Sequence, residues 1–191
     1  MHKRTIMIAA LAVLVTLVAV PAFSQVYVGA KVPLGFVAAS IEDVDENRFA
    51  AGIEGIAGYR MGLFGIEGNI GLLSHFYTVE LADEEVATIL TYARFGAMAK
   101  VYPIDIVYLG IGADFSYLIG RGAAADDAAY GELVDMQDGP IYLATEGGVE
   151  IPIGPNLFLP VGLFYNVAIA NIPEDSRLME VGVKAGVQYR Y

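Results

Sequence analysis

The sequence predicts an all-β fold, an eight-stranded antiparallel up-and-down transmembrane β-barrel with short turns at one end and long acidic loops at the other. Three observations predict it. The chain is 56% hydrophobic, yet beyond residue 24 it holds no long apolar run, and a membrane helix needs about 20 such residues. Its apolar residues instead recur at every second position, the period that gathers them on one face of a strand. The connections between these alternating segments are by turns short and long, the rhythm of a barrel whose two ends face different compartments.

The first segment is not a strand. Residues 1–4 are short and basic, residues 6–20 are apolar, and Ala22 and Ser24 put small side chains three and one places before Gln25. This pattern predicts a secretory signal over residues 1–24, cut after Ser24. It lacks the basic stop-transfer flank of an anchor. Residues 25–191 then form one domain, the barrel. The chain has no cysteine, so it has neither disulfides nor a thiol site. Export without cysteine fits a bacterial envelope protein better than a small stapled secreted scaffold.

Eight alternating segments follow, at 26–38, 49–60, 63–76, 90–102, 106–119, 141–153, 157–169 and 178–191. Each reaches the roughly 9–11 residues that a tilted membrane strand needs. The tight turns are Met61-Gly62, Pro103-Ile104-Asp105 and Gly154-Pro155-Asn156, all rich in turn formers. The long connections are 39–48, 77–89, 120–140 and 170–177. An even strand count puts both termini at the short-turn end, facing the periplasm, and the long loops outside. Turn geometry also sets register. The Met61-Gly62 turn would place Glu54 opposite Asn69. A three-residue turn at 103–105 would place Arg94 opposite Asp114 and predicts a contact between them. Pro33 and Pro160 fall inside strands of a barrel without edges, so bulges are expected there. Ser74 and His75 break the alternation near the end of the third strand.

Parity assigns the two faces. The inward face receives Lys31, Arg60, Arg94, Lys100, Lys184 and Arg190, together with Glu54, Glu67, Asp114, Glu146, Glu150 and Glu180. The outward face receives residues such as Val28, Val32, Ile53, Ile66, Ile70, Leu109, Ile111, Leu143 and Leu163, with Phe and Tyr toward both ends and no Trp. This sorting is physically demanded, because a Lys or Arg facing lipid at mid-bilayer costs about 2–4 kcal/mol. An eight-stranded barrel has an interior that side chains just fill. The twelve inward charges therefore read as a plug of ion pairs, with inward glycines such as Gly71, Gly96 and Gly186 leaving room for them. A narrow gated or water-filled pore for ions or small solutes is the alternative.

The net charge lies elsewhere. The long loops hold fifteen acids, among them Glu42, Asp43, Glu84, Asp126, Asp135 and Glu174, against only Arg48, Arg121 and Arg177. That excludes nucleic acid as a partner, since phosphate binding needs Lys and Arg. It suits divalent cations or an extracellular protein at the loops. Asp43, Asp45 and Asn47 resemble the start of a calcium loop, but Arg48 replaces the required glycine and Glu54 belongs to the second strand. No catalytic residue, cofactor or dedicated metal site emerges. GxSxG and HExxH are absent, and His75 and Ser74 should point to opposite faces of one strand. A lipid-modifying enzyme is the remaining, weaker alternative.

The signal, the eight alternating strands, the loop rhythm and the terminal Tyr189-Arg190-Tyr191 together resemble the small outer-membrane β-barrel proteins: the OmpA-type transmembrane domain and the OmpX and opacity-protein group. The resemblance spans residues 25–191. It implies a location in the outer membrane of a Gram-negative-type bacterium, in contact with its lipid, as a monomer. It also implies that the last strand, ending at Tyr189 and Tyr191, is read by the barrel-assembly machinery. For function it implies a non-enzymatic role in adhesion, interaction or envelope integrity. The chain stops at strand eight, so the resemblance does not extend to a peptidoglycan-binding domain.

Overall fold

The computed structural model describes residues 24–41, 44–81, 84–123, 139–171 and 177–191. The expected signal, apart from Ser24, lies outside them, as do many of the loop acids. The strands are β1 (Ser24–Ile41), β2 (Val44–Met61), β3 (Phe64–Leu81), β4 (Glu84–Ile104), β5 (Val107–Ala123), β6 (Ile141–Pro152), β7 (Leu157–Ala170) and β8 (Arg177–Arg190). Each pairs antiparallel with its sequence neighbours, and β8 pairs with β1, which closes the barrel. Closure satisfies every strand edge, the condition for a sheet to cross lipid.

Strand lengths differ from the reading of the pattern. The β1–β2 and β3–β4 ladders continue to the pairs Ile41↔Val44 and Leu81↔Glu84. Most of the expected loops 39–48 and 77–89 are thus paired backbone. The hydrogen-bonded ladder runs on past the point where the period-two alternation of the sequence ends. The wall formed by β1–β5, with strands of 17 to 21 residues, stands taller than that of β6–β8, with 12 to 14.

Both predicted registers are corrected by two residues. The first turn falls at Gly62-Leu63 with Met61 opposite Phe64, so Glu54 faces Gly71 and Asn69 faces Ile56. Gly62 has φ +59°, a left-handed conformation that glycine adopts without strain. The second hairpin closes on Ile104↔Val107, with an irregularity between Val101 and Ile104, so Arg94 faces Ser116 and Asp114 faces Gly96. A slip of two keeps every side chain on its face, whereas a slip of one would have turned a strand inside out. The bulges expected at Pro33 and Pro160 are also absent. Pairing is interrupted beside Pro33 in β1–β2 and beside Pro160 in β7–β8, but the register on either side is unchanged. Each proline forgoes its amide bond without inserting a residue.

The outer surface is apolar. Ile70, Leu163, Ile66, Leu109 and Ile111 are all exposed. Rings bound this band. Phe36, Phe49 and Phe76 pair across β1–β3 with centroids 6.2 and 5.8 Å apart, and Tyr189 meets Tyr191 at 5.0 Å near the turn end. Along β1, Val28 sits opposite Tyr189. Eight residues separate it from Phe36, about 20 Å of height at a rise of ~3.4 Å and a tilt of ~40°. That approaches the apolar thickness a barrel presents to lipid. Ile70, 71% exposed on the outer face, gives a direct check. Ile70→Arg is expected to destabilise the barrel by about 2–4 kcal/mol, read by urea unfolding in lipid.

Candidate functional site

The candidate site is the lumen. All twelve charged residues assigned inward are buried, none more than 8% exposed. Their fit follows from register, because long side chains stand opposite glycines. Glu54 and Arg94 both face Gly71, Glu67 faces Gly58, Lys31 faces Gly186, Lys184 faces Gly162, and Lys100 faces Gly65 and Gly110. A second long side chain at these positions would overfill so narrow a barrel.

The charges lie in three layers. At mid-height they form one alternating chain across the lumen. Lys100 Nζ meets Glu67 Oε2 at 2.5 Å, and Lys31 Nζ bridges Glu67 and Glu146, 2.8 Å from each. Lys184 Nζ continues from Glu146 at 3.7 Å to Glu54 at 3.0 Å. Tyr27 donates its hydroxyl to Glu67 at 3.1 Å and Tyr108 donates to Glu146 at 2.5 Å. Three positive and three negative groups thus cancel, and the two tyrosine hydroxyls add hydrogen bonds to Glu67 and Glu146, the pairing that buried charges require.

Toward the loops, Arg94 makes a bidentate pair with Glu180, with Nη–Oε distances of 2.7 and 2.6 Å. Its Nε donates to Ser116 at 3.1 Å, and its guanidinium lies 4.9 Å from the Tyr142 ring. Asn166 donates to Glu180 at 2.9 Å. The expected Arg94–Asp114 contact is therefore replaced by one across the barrel, because the two-residue shift removes Asp114 from beside Arg94. Toward the turns, Arg190 pairs with Glu150 and stacks on Phe158, and Tyr102 donates to Glu150 at 3.2 Å. Arg60 reaches outward, with Nη1 donating to the Asp105 carbonyl at 2.9 Å and Nη2 to its carboxylate at 3.2 Å. Around these arginines a hollow of about 740 Å³ opens at the turn end, walled also by Leu63, Ile106 and Phe158.

Several lumen residues were not anticipated. Tyr27, Tyr92, Tyr102, Tyr108 and Tyr142 are all buried. The alternation carries the signal for them, since each shares parity with a charged residue of its own strand, but aromatics read first as girdle residues. Leu73 and His75 also point inward, with Ser74 outward against Thr91 at 3.0 Å. His75 thus lies inside the barrel. Its Nε2 lies 3.5 Å from Glu180 Oε1, and its ring packs 4.8 Å from that of Tyr92. Above Arg94 and Glu180 the lumen turns apolar, with Val37, Ala50, Leu73, Tyr142, Ala168 and Leu178 in one cluster. Alternation obscured this cap because both faces of the strands are apolar there.

No protein-family model matches this chain, and no curated protein matches it. Solved structures do. Neisserial surface protein A (NspA) is similar at 17% identity with a TM-score of 0.50, over 87% of this chain and 97% of that one. The outer membrane protein OprG from Pseudomonas aeruginosa is similar at 11% identity with a TM-score of 0.53, over 88% and 95%. At such identities the likeness is one of fold. This chain has the closed eight-stranded antiparallel barrel of small outer-membrane proteins, the architecture its resemblance implied.

Proposed function

We propose that the protein is a non-enzymatic integral outer-membrane barrel whose lumen is closed by its own side chains, and which acts through its surface loops in interaction, adhesion or envelope integrity. The observation that carries the reading is the unbroken alternating chain Lys100–Glu67–Lys31–Glu146–Lys184–Glu54 across the lumen. A conducting path would have to break several of these pairs, and the apolar cluster around Val37, Leu73 and Leu178 narrows the lumen above them. The opposite orientations of Ser74 and His75 favour a non-enzymatic role, since a base must reach its nucleophile.

The acids concentrated in the loop segments favour divalent cations or an extracellular protein as partners. The outward aromatic pair Tyr189 and Tyr191 fits an assembly signal read by the barrel-assembly machinery. Replacing both with Ala is expected to slow insertion several-fold in a reconstituted assembly reaction while leaving the stability of the finished barrel little changed. The closed lumen is tested by potassium release from liposomes carrying the folded protein. Release no faster than from empty liposomes is the expected result. Protein-dependent release would favour the channel reading instead.

A further inference from the structure

Among the described residues, every inward lysine and arginine has a carboxylate within 4 Å, but one inward carboxylate has no cation that near. The imbalance has a visible source. Arg60 is spent on Asp105 at the exposed turn, which leaves five inward cations for six inward acids. The acid left over is Asp114, 2% exposed. Its Oδ1 accepts a hydrogen bond from Asn69 Nδ2 at 3.1 Å. Its Oδ2 accepts none, and neither does the Asn69 Oδ1 of the same pair. A buried carboxylate without a paired cation is costly, and two orphan acceptors in one cluster call for a positive or donating guest.

We propose that Asp114 and Asn69 bind a small monovalent cation of the sodium class inside the barrel. The two free atoms are hard oxygens, the donors such ions prefer. Gly96 stands opposite Asp114, and the carboxylate lies over it with Oδ1 where a larger residue's Cβ would sit. A divalent ion fits poorly, because the cluster has one carboxylate where calcium sites gather several. Nor do three His, Cys, Asp or Glu side chains gather anywhere among the described residues, as a transition metal would want. The site completes the charge balance of the lumen and does not depend on whether the barrel conducts.

Thallium(I) is the probe. Crystals of the wild-type barrel soaked in a thallium(I) salt are expected to show an anomalous peak within coordination distance of Asp114 Oδ2 and Asn69 Oδ1. Thermal unfolding in lipid gives an independent reading. At equal ionic strength the wild type should melt several degrees higher in sodium chloride than in choline chloride, and Asp114→Asn should melt alike in both. No peak in the wild type, with identical melting in the two salts, would overturn the proposal. An infrared band of a protonated carboxyl that Asp114→Asn removes would also overturn it, by placing a proton there instead.

Discussion

Glu67→Ala is expected to destabilise the barrel by about 3–5 kcal/mol, the cost of stranding a buried charge. Glu67 is the acid on which Lys100, Lys31 and Tyr27 converge, at 2.5, 2.8 and 3.1 Å. Lys31 would keep Glu146, but Lys100 has no other carboxylate within 4 Å among the described residues. Most of the loss should therefore come from the orphaned lysine. Adding Lys100→Met should recover much of it, because a pair replaced by apolar side chains leaves no buried charge. Urea unfolding in lipid, followed by the mobility difference between boiled and unboiled samples, reads both effects. If Glu67→Ala unfolds like the wild type, the mid-lumen chain contributes nothing to holding the barrel together.

A second effect of similar size, about 3–5 kcal/mol, is expected for Arg94→Met. The substitution leaves Glu180 buried without a permanent cation, beside Asn166 at 2.9 Å and His75 Nε2 at 3.5 Å. The apolar cap bears on the double variant. Tyr142 belongs to that cap and also stacks against Arg94, so Arg94→Met with Glu180→Leu would extend the cap downward. The pair of substitutions should restore near wild-type stability, and the same unfolding assay checks it. A double variant as unstable as Arg94→Met alone would mean that the cost lies in packing rather than charge.

The final strand shows what alternation carries. In Val181-Gly182-Val183-Lys184-Ala185-Gly186-Val187, the exposed valines and the buried Lys184 are those that parity separates. Membrane strands declare themselves this way because lipid and lumen demand opposite chemistry on successive residues. Register was less legible. Turn residues such as Met61-Gly62 admit two placements that preserve every face, and the sequence does not distinguish them. The partner of Arg94 was hidden for another reason. Glu180 lies 86 residues away, across the lumen, where neighbour-strand pairing has no reach. Leu73 escaped because near the loop end the lumen itself becomes apolar, and the contrast between faces fades.

The proposed barrel meets lipid outside and excludes water inside. The absence of native cysteine makes it testable with single introduced thiols. Leu163→Cys and Ile70→Cys would sit on the exposed outer face, and Ala144→Cys and Ser116→Cys in the buried lumen. In lipid bilayers, the outer thiols should be quenched by lipid-dissolved oxygen when spin-labelled and should resist a water-soluble thiol reagent, while the inner thiols should resist that reagent too. Rapid reaction of Cys at 116 or 144 with the water-soluble reagent would show a hydrated lumen and contradict the plug. Reaction at 70 or 163 would contradict the membrane-spanning barrel itself.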